Sequence, residues 1–201
     1  MPTLTIFAGV NGCGKTSLYR FKKVLYSKNR INLDEIVREM GGSSDSVKDY
    51  ITAANYALEK MDTFLKERKS FTWETTVIAR GTLKYINKAK QLGYKINVNY
   101  VNVESLDIAL KRVEQRVKKG GHNVKDDIVE SRYVSQFNNI IAPLALCDNV
   151  YFYDNTKSMK IVGVFKNNII KYADRNCEWM ETICKKHQEY FSNYQNGNIS
   201  K

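Results

Sequence analysis

Proline is nearly absent from this chain, with two in 201 residues, and glycine contributes only 11. That composition excludes a collagen-like or linker-rich architecture. No apolar run reaches the roughly 18 residues a membrane-crossing helix needs, so no membrane partner is expected. Cysteine is sparse and scattered, at Cys13, Cys147, Cys177 and Cys184. With no C-x-x-C pair, a disulfide framework or zinc site is disfavoured and a reducing, cytoplasmic setting is expected. The apolar N-terminal stretch has no charged segment before it and runs into a glycine loop, so it does not read as a signal peptide. Acid is missing from the first thirty residues, which hold Lys15, Arg20, Lys22, Lys23, Lys28 and Arg30.

What is present describes a folded domain. Apolar residues make up 43% and charged residues 26%, and 13 tyrosines with 8 phenylalanines supply core material, so disorder of the whole chain is excluded. The length suits one domain over 1–201 that buries roughly 70% of its unfolded surface. The net charge is +11. A second basic cluster runs through Lys111, Arg112, Arg116, Lys118 and Lys119. Such a balance suits an anionic partner, whether nucleotide phosphates, a phosphorylated metabolite or nucleic acid. A solubilising surface is the plain alternative for most individual lysines.

Periodicity places strands over 3–8, 31–33, 71–75, 94–101 and 150–153. Between them come helices over 15–27, 46–68, 80–92, 105–119 and 126–141, the last ending before Pro143. Ser46 with Asp49 resembles a capping box, Ser105 can cap its helix, and Gly93 fits a helix stop. In the 46–68 helix, Val47, Tyr50, Ile51, Ala54, Ala57, Leu58, Met61, Phe64 and Leu65 fall at helical spacing. A hairpin is expected around Asn167-Asn168, followed by a helix over 174–191 and a frayed polar end from 195 to 201. Trp179, Met180 and Ile183 in that last helix suit either core cover or a partner surface. Strand–helix alternation of this kind predicts an α/β domain with a mainly parallel sheet flanked by helices.

The residues Gly9-Val-Asn-Gly-Cys-Gly-Lys15-Thr16 match G-x-x-x-x-G-K-[ST]. Glycines let the backbone curl so that N–H groups converge on phosphate oxygens, and the helix that follows adds its N-terminal dipole. The cradle would comprise Gly9, Asn11, Gly12, Cys13, Gly14, Lys15, Thr16 and Ser17. Lys15 reaches the β- and γ-phosphates of ATP, and the Thr16 hydroxyl is the expected ligand of Mg²⁺. An apolar strand before the loop and a helix after it supply the context this motif requires. Together they predict a P-loop nucleotide-binding fold.

Two acids follow at successive strand ends, where an open α/β sheet presents its ligand crevice. Asp34 there can take a proton from an attacking hydroxyl, or can cap the helix that begins at Glu35. Glu74, followed by Thr75 and Thr76, can hold Mg²⁺ through water, meet acceptor hydroxyls, or act as a cap. Arg112, Arg116 and Arg132 flank a Gly120-Gly121-His122 break, with Arg112 and Arg116 on one helix face. A helix–loop–helix of this kind, over about 105–140, would form a lid that closes on phosphates. The alternative is a solvated basic face. His122 reads either as a lid-positioning residue or as a surface histidine.

At these residues the sequence resembles the zeta-toxin family of P-loop kinases, in a compact, short-chain branch. The resemblance spans roughly 3–156. It is carried by Phe7 to Thr16, Ile31-Asn-Leu-Asp-Glu-Ile36, Phe71-Thr-Trp-Glu-Thr-Thr76, Gly93-Tyr94 with Tyr100-Val101, Arg112 to His122 running to Arg132-Tyr133, and Asp154-Asn155. Departures are Lys125, where this branch often has proline, and Ser131, where a second arginine is common. The resemblance implies an ATP-dependent kinase with an alcohol acceptor, in the best-known members UDP-N-acetylglucosamine, and a toxin paired with an antitoxin protein. It assigns the γ-phosphate end to Lys15, the metal to Thr16, the base to Asp34, the acceptor to Glu74 and Thr76, and the phosphate clamp to Arg116 and Arg132 with Arg112. Two other readings compete with it. One is a kinase of nucleosides or polynucleotide ends. The other is a nucleotide-gated nucleic-acid-binding module, which is weakened by the lack of a helix-turn-helix or RNA-binding motif.

Overall fold

Both faces of the first strand are buried, as the centre of a parallel sheet requires. In β1 (Thr3–Ala8) every residue from Leu4 onward is buried. The computed structural model describes residues 1–22, 27–43, 46–76, 78, 80–138 and 140–195. The chain alternates α1 (Lys15–Lys22), β2 (Arg30–Asn32), α2 (Leu33–Glu39), α3 (Val47–Lys66), β3 (Phe71–Thr75), α4 (Arg80–Gln91) and β4 (Lys95–Asn102). Then follow α5 (Leu106–Lys118), α6 (Asp126–Ser135), α7 (Ile141–Ala145), β5 (Asn149–Asp154), β6 (Lys160–Lys166), β7 (Ile169–Ala173) and α8 (Glu178–Gln195).

The strands form one seven-stranded sheet in the order β2-β3-β1-β4-β5-β6-β7. Strands β1 to β5 pair in parallel, and β6 and β7 add an antiparallel edge. The chain lays β2 and β3 on one side of β1, then crosses to the other side for β4 and β5. The loop after β1 therefore lies at a topological switch point, where ligand crevices open. Register aligns the strand ends that matter: Glu74 sits beside Phe7 on one side and beside Asn32 on the other.

Two hydrophobic clusters sandwich the sheet. Leu4, Ile6 and Ala8 point into the larger, with α2, α3, α4, α7 and α8. Phe7 points into the smaller, with Leu18 of α1, Ala109 and Val113 of α5, and Val129 of α6. That smaller cluster also takes in Val10 and Cys13 of the glycine loop, so the loop is packed from beneath.

Most elements agree with the sequence reading, and the exceptions have identifiable causes. The helix expected over 15–27 is described to Lys22; Lys23, Val24, Leu25 and Tyr26 lie outside the described residues, as does 196–201 of the end expected to fray. The helix expected over 126–141 ends at Ser135, and a separate short helix, α7, starts at Ile141 with Pro143 in its first turn. Proline is tolerated there because the first-turn N–H groups have no intrahelical acceptor. The last helix starts later than expected because Asp174 first forms a turn, accepting from Asn176 N and Cys177 N. Trp179, Met180 and Ile183 are buried in the larger core, so α8 covers the sheet. Each large apolar side chain buried there contributes about 1.5–3 kcal/mol. In α3 the core is made by Ala53, Ala57, Met61, Phe64 and Leu65, whereas Val47 and Ile51 are exposed. The apolar face of its first half fronts a cavity instead.

Candidate active site

The glycine loop leaves β1 and delivers α1 at Lys15. Its backbone takes left-handed dihedrals that only glycine adopts without strain. Gly12 has φ +82°, and a Cβ there would lie 2.3 Å from Ala109 O; Gly14 has φ +105°, and a Cβ would lie 2.3 Å from Asn155 Nδ2. Asn155 Nδ2 donates to Cys13 O at 2.8 Å, tying the loop to the end of β5. Lys15 is buried, and its ammonium donates to Gly9 O at 2.7 Å and Val10 O at 3.0 Å. One of its three N–H donors is left over from these bonds. Burial pushes the Cys13 thiol up, with Lys15 opposing, so the thiol stays protonated and unreactive.

Beside the loop, three side chains from two elements, α1 and β2, converge on Glu74 of β3. Thr16 Oγ1 donates to Glu74 Oε1 at 2.8 Å. Arg30 Nη2 and Asn32 Nδ2 donate to Glu74 Oε2 at 2.7 and 2.9 Å. Arg30 also pairs with Glu35 and lies over the Tyr19 ring, 3.6 Å from its centroid. Burial pulls the Arg30 guanidinium down, but its bonds to Glu35 and Glu74 outweigh that and hold it above its usual value. Asn32 Oδ1 accepts from Glu35 N and caps α2, so Asp34 lies in the first turn of that helix and is not its cap. The Thr16 hydroxyl and the Glu74 carboxylate form a hard-oxygen pair that fits Mg²⁺, an ion normally held by few protein ligands plus waters and phosphate oxygens.

These groups line one cavity of about 510 Å³, within the usual range for small-molecule sites. On one wall are Asn11, Gly12, Gly14, Lys15, Thr16 and Ser17. Asp34, Glu74, Thr75 and Thr76 join them from the ends of β2 and β3. The remaining wall is apolar: Ile31, Leu33, Trp73, and from α3 Tyr50, Ala54, Ala57, Leu58 and Met61. Burial raises the Tyr50 phenol, and the nearby Asp34 charge adds to it.

Arg112 and Arg116 reach the same cavity from α5. Arg112 Nη2 donates to Thr156 O at 3.0 Å. Arg112 Nη1 and the Arg116 Nε and Nη2 atoms are buried with no hydrogen-bond partner among the described residues. Buried donors of this kind favour an anion. Arg132 lies elsewhere: its Nη1 donates to Asn11 Oδ1 at 2.7 Å, bracing the loop from α6. His122 is not a surface residue. Its Nε2 lies 4.0 Å from Asp34 Oδ1, and its side chain is 15% exposed. The segment expected as a lid is anchored at its start, because Ala109 and Val113 are buried against the loop.

The structure thus brings most of the sequence-derived site residues to one cavity, while Gly9, Cys13 and Arg132 act behind it. Sequence reasoning missed Arg30 and Asn32, and it placed the α3 residues only at helical spacing, without the cavity that Tyr50, Ala54 and Leu58 face. The signal for Asn32 was its place at a strand end beside Asp34. Arg30 had none beyond its charge.

Comparison with known proteins bears on the fold that carries these residues. A curated protein of Haemophilus influenzae, uncharacterized, is 29% identical over 127 residues, covering 63% of this chain and 89% of its own. Among solved structures, the AvrRxo1-ORF1:-ORF2 complex with ATP matches at TM-score 0.72 and 18% identity. That match covers 91% of this chain, which spans 63% of the AvrRxo1 chain's length. A structure from the PezAT toxin–antitoxin system of Streptococcus pneumoniae matches at TM-score 0.55 and 17% identity, covering 94% of this chain and 87% of its own. A putative kinase from Chloroflexus aurantiacus matches at TM-score 0.57 and 17% identity, covering 78% and 89%. At such identities the likeness is one of fold, the P-loop kinase-like fold. The AAA domain family profile matches residues 4–136, most of the chain and all of the loop, the acids and the arginines, and this protein therefore belongs to the AAA domain family.

Proposed function

We propose that this protein is an ATP-dependent phosphotransferase that moves the γ-phosphate of ATP to a hydroxyl of a small acceptor. One observation carries the reading: Asp34 and the phosphate loop line the same cavity, with space and an apolar wall beside them for a second molecule. The resemblance to zeta toxins makes a UDP-N-acetyl sugar the first acceptor to try. The likeness to a toxin–antitoxin structure supports a protein partner as well, to be sought by co-purification.

In this reading the loop amides and Lys15 hold the β- and γ-phosphates, and Arg112 and Arg116 meet the transferring charge. Arg132 fixes Asn11 and so the loop. Magnesium, when bound with the nucleotide, neutralises phosphate oxygens; Thr16, and Glu74 through water, would hold it. Asp34 accepts the acceptor's hydroxyl proton as the acceptor oxygen bonds to the γ-phosphorus. The bond from that phosphorus to the bridging oxygen breaks, and ADP leaves with the electron pair.

The test is γ-labelled ATP with Mg²⁺ and, in separate tubes, UDP-N-acetylglucosamine, a metabolite extract, nucleosides and nucleic acid ends. Asp34→Asn runs beside each. Asp34-dependent label on a small molecule supports the reading. Label on nucleic acid ends moves the acceptor class to polynucleotides. Retained ATP binding with no transfer to anything overturns it in favour of a nucleotide-gated binding module.

A further inference from the structure

Arg30 opens β2 and takes no part in the phosphate loop, yet its side chain is only 10% exposed. Its Nε and Nη2 meet the two oxygens of Glu35 at 2.7 and 3.2 Å, and Nη2 also meets Glu74 Oε2 at 2.7 Å. The Tyr19 ring covers the guanidinium from α1, the helix that carries Thr16. Asn32, at the other end of this three-residue strand, donates to the same Glu74 oxygen and caps α2 through Glu35 N. Two side chains of one short strand therefore join the carboxylate that holds the Thr16 hydroxyl to the helix turn that bears Asp34.

We infer that Arg30 is a positioning residue which, with Asn32, occupies Glu74 Oε2 so that Oε1 alone faces Thr16 and the metal side. This rests on the phosphotransfer reading above. The physical argument has two parts. Glu74 Oε2 accepts one N–H from a guanidinium whose fork is fixed on Glu35 and a second from the Asn32 amide, so the carboxylate is held in one orientation. The cost of that grip is a fixed positive charge beside a divalent cation's site, which lowers metal affinity. Arg30 thus exchanges metal affinity for geometry. Removing it should move two observables in opposite directions: metal binding tightens as Glu74 Oε2 loses its cationic partner and keeps only the neutral Asn32 amide, and turnover falls as Glu74 and Glu35 of the Asp34 turn lose the guanidinium they share. A residue that only supported the fold would lower both together.

The experiment compares wild type, Arg30→Met and Arg30→Lys in the full chain. Mn²⁺ binding to the protein with a non-hydrolysable ATP analogue is titrated by EPR, turnover is read by label transfer, and folding is checked by thermal melting. Arg30→Met should bind Mn²⁺ at least about threefold more tightly while turnover falls at least about tenfold, the scale on which groups behind a metal ligand act. Arg30→Lys keeps the charge without the fork. Its Mn²⁺ affinity should stay within about twofold of wild type, with turnover between the other two. Unchanged or weakened Mn²⁺ binding in Arg30→Met overturns the inference, as does wild-type turnover in Arg30→Lys. Should Arg30→Met not fold, the lysine variant decides alone. Wild type that transfers no label to any acceptor overturns the phosphotransfer reading, and the Mn²⁺ titration still tests Arg30.

Discussion

The two walls of the cavity are built on different principles. The loop wall is backbone: glycines in left-handed conformations, packed from below by a small core that holds Phe7, Val10 and Ala109. The opposite wall is side chain: Asp34, Trp73 and the α3 face, contributed by separate elements, with the Arg30–Glu74–Asn32 bonds tying β2 to β3. A backbone cradle fits an invariant ligand part such as a phosphate chain. A side-chain wall can be varied without disturbing the cradle, and it is where acceptor choice would reside.

The largest expected effect breaks the loop wall. Lys15→Ala should lower label transfer by about 10²- to 10³-fold, the usual result of deleting one charge-stabilising donor. Gly12→Ala should follow. Its Cβ would meet Ala109 O at 2.3 Å and its φ is left-handed, so ATP affinity should fall at least about tenfold, with about 1–3 kcal/mol of stability lost. Isothermal titration with ATP and a thermal melt check both.

The opposite wall should respond differently. Ala57 is 7% exposed and lines the cavity. Ala57→Leu should raise the acceptor KM about tenfold and leave ATP affinity within about twofold, since one added side chain in a pocket acts on this scale. Steady-state kinetics with each substrate varied in turn separates the two. Equal losses for ATP and acceptor would mean that the walls are not independent.

These two walls were unequally legible in the sequence. The loop is a contiguous pattern, so its glycines, Lys15 and Thr16 could each be read with a mechanism. Asp34 and Glu74 were findable because a parallel sheet puts successive strand ends on one edge. The α3 wall was not findable, because Tyr50, Ala54 and Leu58 have the same helical spacing whether they face a core or a cavity. Arg30 was not findable either, since its partners Glu35, Glu74 and Tyr19 come from three elements that only the fold joins. The start of α7 at Ile141 escaped for a local reason: proline in a first turn looks, in sequence, like proline after a last one.

Smaller effects lie away from both walls. Trp179 Nε1 donates to buried Asp154 Oδ2 at 3.0 Å. Trp179→Phe should cost about 1–3 kcal/mol in a denaturant melt and leave ATP affinity unchanged. The smallest concerns His187, whose Nε2 lies 2.9 Å from Asn168 O and whose ring packs on Phe165. Burial lowers its pKa below the usual 6.5, against the Asn168 bond. The unfolded chain therefore binds the proton first. This contribution to stability is complete above about pH 6.5 and is lost as pH falls through the folded value. Thermal melts over that window should show a shallower acid-side decline in His187→Gln than in wild type.

The central claim is that ATP is held by one wall and its transfer is directed by the other. Asp34→Asn tests it most directly, with the ATP dissociation constant and the label-transfer rate measured on the same preparation. The account predicts affinity within about twofold of wild type and transfer lowered at least about 10²-fold, the lower range for loss of a general base. A parallel fall in both would contradict it and place Asp34 with the phosphate cradle.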